Sequence, residues 1–327
     1  MNKKYLIILN MFVSVLLILL VLYFVGAEAV LAQIGKINLI YLFLSVIFLL
    51  LMDIGMAYRI RVLLNSMNEK PSFFALLKSH FVGMFLADFT PARSGYLATA
   101  GVLHYKYGVP SEKAMVSILG PQIFDFALKL VAGTIAVFYI IYYFLKPEDS
   151  FSLLIGLPVI SLVIVIMLLV LFSRRFLNFF SFVKKIPILG SMFALTERMQ
   201  EKSHIVINKS PEIIIIMLTT WSFKSISWYF VAKSVGITLD IGYPELLFYF
   251  FLQPLLTMLE FIPSPTIAGL GLSEGGSALV FSLFGIPPFQ ATAFALIARF
   301  KTTLVHLPAI PEALNTLKKH GPEPSKP

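Results

Sequence analysis

The chain has no cysteine among its 327 residues, and only 13% of them are charged. The first absence removes disulfides, thiol catalysis, thiolate-bound iron–sulfur clusters and Cys-ligated zinc. The second sets the chain apart from soluble domains, in which about a quarter of residues are charged. Recognisable phosphate and metal motifs are missing as well: there is no Walker loop, no Rossmann glycine fingerprint and no HExxH. The five histidines are scattered, so no metal site and no cofactor is implied. The stretch at 271–275 fits the letters of GxSxG. It lies between apolar runs, however, not at the strand-to-helix turn that such an elbow needs. With no recognisable catalytic motif, the chain reads as a non-enzyme.

What remains is apolar. Hydrophobic residues make up 58% of the chain, gathered in runs long enough to cross a bilayer at about 20 residues each. The short alternating segments of a β-barrel are missing. The fold class is therefore an all-α polytopic membrane protein. Six runs read as full transmembrane helices, at about 5–25, 37–58, 113–145, 151–172, 212–235 and 288–310. The first is too long for a signal-peptide core and more spans follow, so it is read as a retained span. Pro121 interrupts the third. Two pairs of shorter legs complete the pattern, at 72–89 with 95–107 and at 243–261 with 271–284.

Positive charge sets the sidedness. Basic residues gather before the first span (Lys3, Lys4), after the second (Arg59, Arg61, Lys70) and after the last (Lys318, Lys319). The segment 173–211 adds Arg174, Arg175, Lys184, Lys185, Arg198, Lys202 and Lys209. Such residues mark cytoplasmic loops, which accounts for the net charge of +9 without nucleic acid as a partner. Both termini are expected in the cytoplasm of a multi-pass cell-membrane protein. The loops 26–36, 146–150 and 236–242 then lie outside. Segment 173–211 reads either as amphipathic helices on the anionic inner leaflet or as a solvated basic loop.

Length constrains the leg pairs. The leg 95–107 has thirteen residues, about 20 Å of helix, against about 30 Å of hydrocarbon. Each pair is therefore expected to form a re-entrant or broken hairpin, giving about eight hydrophobic segments. Span, span, hairpin and span then recur upside down, an inverted-topology repeat. Repeat 1 covers about 5–145 and repeat 2 about 151–311. Both belong to one domain at 1–317, ahead of a disordered polar tail at 318–327. The two halves also look alike: Gly108, Pro110 and Ala114 match Gly285, Pro287 and Ala291 at one constant offset. Paired interruptions of this kind point to a binding site between the halves.

The breaks carry the candidate site residues. Thr90-Pro91-Ala92-Arg93-Ser94-Gly95 combines a helix stop, a cation and a flexible glycine. Unwound backbone at membrane depth must be buried in protein or line a wet cavity. A helix restarting there turns free N–H groups toward an anion, and Arg93 adds a planar fork matched to phosphate. At the second break Gly269 and Gly271 precede Glu274. An ionisable group between membrane legs is a functional candidate by default. The glycines also suit close helix packing. Arg299 is the better candidate for an anionic headgroup within the last span, and Lys301, two residues on, points elsewhere. Asp88 and Glu260 lie near leg ends. Asp125 and Lys129 stand four apart on one helical face, as a self-neutralising pair or as a lining of the pathway. Asp53 and Lys224 are single intramembrane charges without a partner in sequence, and His306 reads as a packed residue.

The two breaks resemble the motifs "TPgRaGE" and "GGlGvxE" of the lysylphosphatidylglycerol synthase transmembrane-region family. The resemblance extends to about residue 317. It implies a flippase-like integral membrane fold and matches Pro91, Arg93, Gly95, Gly269, Gly271 and Glu274 to the motif positions. The chain departs from the pattern at Tyr96, where the family usually has Glu, and at Ala268, where it often has Gly. Relatives fused to a soluble aminoacyl-transferase or glycosyltransferase carry a domain with no counterpart here. By resemblance, the expected activity is translocation of a phosphate-bearing lipid or lipid-linked headgroup. Arg93, Gly95, Gly269, Gly271, Glu274 and Arg299 would bind it. The alternatives are a membrane-embedded transferase on lipid-linked substrates, or a non-transporting membrane partner of a separate soluble synthase.

Overall fold

A computed structural model describes residues 3–144, 203–261, 266, 269–313 and 315. The described residues are helical and contain no strand. In chain order the helices are α1 (Lys3–Val25), α2 (Ala27–Ile34), α3 (Leu39–Ser66), α4 (Phe73–Asp88), α5 (Ala98–Tyr107) and α6 (Ser111–Phe144). The second half supplies α7 (Ser203–Asn208), α8 (Ser210–Ser234), α9 (Glu245–Phe261), α10 (Leu272–Leu283) and α11 (Pro288–His306). A 3-10 segment, Pro91–Leu97, fills the first break. The expected span 151–172 and most of the basic segment 173–211 lie outside the described residues, as do Pro263, Ser264 and Pro265.

Among the described residues, four helices are each long and apolar enough to cross a membrane: Leu39–Ser66, Ser111–Ala136, Ser210–Ser234 and Pro288–Ala313. The pair α1 and α2 passes the same test together, but turns through 92° at their junction. The hairpin legs are shorter, with 16 and 10 residues in α4 and α5 and 17 and 12 in α9 and α10. Both hairpins are built alike at their far ends. Gly108 closes α5 and Gly285 follows α10, each with left-handed backbone (φ +70° and +73°). A proline then precedes or opens the long helix that follows, as it disfavours helical backbone in the residue before it and leaves no unsatisfied N–H at a helix start.

The two halves meet along α3 and α8. Asn38 N–H donates to the Ser234 carbonyl, and Ser227 Oγ donates to the Ser45 carbonyl at 2.7 Å. Further along, Gly55 lies against the Thr220 side chain with no room for a Cβ between them. The contacts advance along α3 as they retreat along α8, so the helices are antiparallel. Two cores form, each drawing on both halves. Ile60, Leu63, Leu64, Leu76, Leu103 and Ile118 pack with Ile213 of α8 in one, and Trp228, Tyr249, Phe281 and Phe294 with Val30 of α2 in the other. The outside is apolar: Phe12, Tyr23, Phe24, Phe43 and Phe74 are all exposed, as suits a lipid-facing surface.

Three expectations need correction. Residues 27–34 of the expected outer loop form a helix, because Gly26 at φ +95° lets the chain turn sharply and resume helical backbone. Arg59 and Arg61 lie inside α3, not after it. Arg59 is 1% exposed, so it is no cytoplasmic loop residue. Pro121 does not interrupt α6, which runs through it to Phe144. Gly120 beside it sits so close to Val206 of α7 that a Cβ would collide with that side chain.

Two predictions follow from this packing. With no native cysteine, Asn68→Cys and Asp240→Cys report membrane sidedness cleanly. The antiparallel seam puts them at opposite ends, so an impermeant thiol reagent labels one of them in intact cells and the other only after permeabilisation; the charge bias of the sequence makes Asp240→Cys the expected outer one. Gly271 has φ +86° and lies against Leu17 of α1, so Gly271→Ala lowers stability by about 1–3 kcal/mol, measured as the unfolding midpoint in detergent.

Candidate substrate cavity

The first break is knitted into a fixed shape. Thr90 Oγ1 donates to the Leu86 carbonyl at 3.0 Å and accepts from the Gly95 N–H at 2.7 Å. Gly95 lies against the α4 backbone at Leu86 and Ala87, where any Cβ would collide. Between them Arg93 is held at φ +53°, left-handed backbone that costs a non-glycine residue about 1–3 kcal/mol. This conformation accompanies an ion pair from Arg93 Nη2 to Asp88 Oδ1 at 3.1 Å.

The second break closes through Glu274. Its Oε2 accepts from the Gly271 N–H at 2.7 Å and from Ser273 Oγ at 3.0 Å. Its Oε1 accepts from Arg299 Nε at 2.7 Å, and Arg299 Nη2 donates to Ser273 Oγ. Glu274 is 1% exposed while Arg299 retains 16%. The carboxylate therefore stands behind the guanidinium, which faces outward.

What it faces is a cavity of about 70 Å³ lined by both halves. Leu49 and Met52 of α3, Met84 and Asp88 of α4, and Arg93 form one wall. Lys224, Ser227 and Trp228 of α8, Ser273 and Ser277 of α10, and Arg299, Lys301 and Thr302 of α11 form the other. Among the described residues, Arg93, Lys224, Arg299 and Lys301 are four basic side chains in the lining, against one carboxylate, Asp88. Lys301 Nζ donates to Ser227 Oγ, and Lys224 Nζ lies 5.3 Å from the Trp228 ring centre. A wet space of this size holds several waters or one compact polar group.

The structure thus gathers Asp88, Arg93, Arg299 and Lys301 at one cavity, with Glu274 directly behind Arg299. The expectation that Lys301 points elsewhere than Arg299 is corrected, because both side chains reach the same cavity from α11. Gly95, Gly269 and Gly271 shape the backbone around it and do not line it. Asp125 and Lys129 pair with each other on α6 at 2.7 Å and do not themselves line the cavity. Pro91 opens the 3-10 segment and Glu260 falls in the last turn of α9. The side chains of these two lie outside the description.

Sequence reasoning left a second polar cluster unread. Asp53 is fully buried between two histidines, His80 of α4 at 3.1 Å and His306 of α11 at 3.2 Å. Tyr96, where the sequence departs from the expected acid, places its hydroxyl 3.3 Å from His80 Nδ1. Arg59 acts electrostatically on His80, Tyr96 and Asp125. His306 is therefore more than packing. Asp53 and His80 are 27 residues apart, and His306 is 253 residues from Asp53, so no local spacing announces the group. An isolated charge in an apolar helix was the one available signal.

Comparison with known proteins agrees with this architecture. The family described as Lysylphosphatidylglycerol synthase TM region matches residues 7–309. A UPF0104 membrane protein of Pyrococcus horikoshii is 22% identical over 324 residues, covering 91% of this chain and 92% of its own length.

The Glu274–Arg299 pair predicts a measurable asymmetry. Removing one partner of a buried pair strands the other, at about 3–5 kcal/mol. Glu274→Ala, which leaves Arg299 without its carboxylate, is expected to destabilise by that order. The double variant Glu274→Ala/Arg299→Met recovers part of the loss, as read from unfolding midpoints in detergent.

Proposed function

This chain belongs to the lysylphosphatidylglycerol synthase transmembrane-region family, and from that premise we propose that it is a lipid translocase for a phosphate-bearing headgroup. One observation carries the reading: two halves of a membrane protein contribute four cations and one carboxylate to a single cavity. Charge in hydrocarbon is costly, and a cavity lined mainly by basic side chains inside a membrane protein favours a ligand of the opposite sign. The hydroxyls of Ser227, Ser273, Ser277 and Thr302 supply the weaker polar contacts that a phosphate or glycerol group accepts.

The guanidiniums are suited to that ligand. Arg299 is oriented by Glu274 and Ser273, so its fork is pre-set and little side-chain freedom is lost on binding. Arg93 reaches the cavity from the opposite half, where it is paired with Asp88. An anionic headgroup entering between them meets one arginine from each half and neutralises the excess positive charge. Its acyl chains remain with the surrounding lipid, against the apolar outer faces. Rocking of one half against the other around such a site would exchange its access between leaflets. The chemistry is transfer across the bilayer with no covalent step.

Purified protein in liposomes tests the proposal with fluorescent phosphatidylglycerol and a membrane-impermeant quencher. The wild type moves the lipid faster than protein-free vesicles do. A charge-assisted hydrogen bond contributes about 1.5–3 kcal/mol, so Arg93→Ala and Lys301→Met lower the rate about tenfold or more. Equal rates for Arg93→Ala, Glu274→Ala and wild type contradict the reading.

A further inference from the structure

Beside the cavity, the Asp53 cluster forms a continuous polar path toward it. Neither Asp53 nor the two imidazoles has any side-chain exposure. Each Asp53 oxygen sits at hydrogen-bond distance from one imidazole Nε2. Asp53 in its ionised form accepts, so both Nε2 atoms carry hydrogen. This tautomer is assigned from the partners. His80 Nδ1 is then an acceptor, and the Tyr96 hydroxyl donates to it. His306 Nδ1 has no such donor and makes no hydrogen bond. It faces the Oδ2 of Asp88 at 4.0 Å, so a nitrogen lone pair opposes a carboxylate oxygen.

That opposition has a direct chemical remedy. We infer that the Asp53–His80–His306 cluster binds one proton, at His306 Nδ1, shared with Asp88, and that its occupancy sets how firmly Asp88 holds Arg93. A proton from cavity water reaches Nδ1 by way of Asp88, which lines the cavity. The imidazole becomes imidazolium, with Nε2–H donating to Asp53 and Nδ1–H to Asp88. Asp53 and His306 together then carry no net charge. Without the proton, Asp53 is a buried carboxylate satisfied by neutral donors alone, an arrangement that burial opposes. Chains of Asp and His inside membrane proteins are characteristic of proton relays.

Asp88 is the link to the cavity. Its Oδ1 holds Arg93 Nη2 at 3.1 Å, while Oδ2 accepts from Thr303 Oγ1 at 3.2 Å, one helical turn before His306. An imidazolium at Oδ2 draws charge from the carboxylate and weakens its grip on Arg93. Arg93 then turns more readily to an anionic headgroup, so proton and anion bind with positive coupling. Other charges facing the cluster bias this equilibrium without supplying the proton. They are Arg59 of α3, Asp125 of α6, and Lys301 of α11 with Lys224 of α8 behind it. The proton site rests on the cluster's own geometry. Its effect on lipid rests on the translocase reading.

Two readouts on the purified full chain separate those claims. In ¹⁵N-histidine NMR in detergent, scanned over roughly pH 5–9, one resonance pair takes up a proton at Nδ1 and is lost in His306→Gln. Asp88→Asn, a near-isosteric change at the cavity edge, moves the midpoint of that titration, which a merely structural Asp88 would not. Short-chain phosphatidylglycerol binds wild-type protein about tenfold tighter at pH 6 than at pH 8, a coupling of about 1.4 kcal/mol. Its affinity for Asp88→Asn is the same at both. A His306 that stays neutral at Nδ1 across the range overturns the proposal, as does an unchanged pH dependence in Asp88→Asn. If His306 titrates while the lipid binds at neither pH, the proton site stands and the translocase reading falls, together with the link between them.

Discussion

A charge placed in hydrocarbon has no water to turn to, so its partner must come from the protein. Most of this structure can be followed from that constraint. Glu274 is buried because Arg299, Ser273 and the Gly271 N–H all reach it. Asp53 is buried because two histidines reach it from different helices. Asp125 is tolerated on α6 because Lys129 sits one turn away. Each of these carboxylates is answered, and for Asp53 and Glu274 the answer ties elements that are distant in sequence. The Asp53 contacts join α3 to α4 and to α11, while the Glu274 contacts join the second break to α11.

The cavity gathers the densest group of such charges. Among the described residues four basic side chains line it, and the carboxylates that pair with Arg93 and Arg299 stand at its edge or behind its wall. Built from both halves, the surplus is shared across the antiparallel seam of α3 and α8. An anion completes the balance, and a mobile anion does so reversibly. The strained φ of Arg93 fits this picture. Conformational energy is retained at the point where a guanidinium must face the cavity and still answer to Asp88.

Much of the architecture was legible in the sequence, because it is imposed by length and hydropathy. Thirteen residues cannot span a bilayer, so the shortness of α5 could be read directly. The matching Gly-X-Pro turns at 108–110 and 285–287 marked equivalent ends of two hairpins. The Asp125–Lys129 pair was visible through its helical spacing. The errors arose where local rules lost to packing. Arginine in an apolar run reads as the end of a span, yet Arg59 is enclosed by neighbours from other helices. Proline reads as a break, yet α6 absorbs Pro121. Segment 26–36 reads as a loop because it separates two long apolar runs, but one glycine was enough to turn the chain into a short helix. The Asp53 cluster could not be read at all, since its members meet only in three dimensions. Arg299 and Glu274 were each noticed, but as ligands for a substrate. That they hold each other depends on how α10 and α11 cross.

The account stands on the claim that the cavity holds an anionic headgroup. Native mass spectrometry of the protein extracted gently from its membrane asks this without choosing a substrate in advance. The account predicts that wild-type protein retains a phosphate-bearing anionic lipid, and that the Arg93→Ala/Lys301→Met variant loses it while keeping its fold. Retention of only zwitterionic or neutral lipids, or the same anionic lipid bound equally by wild type and variant, would contradict it.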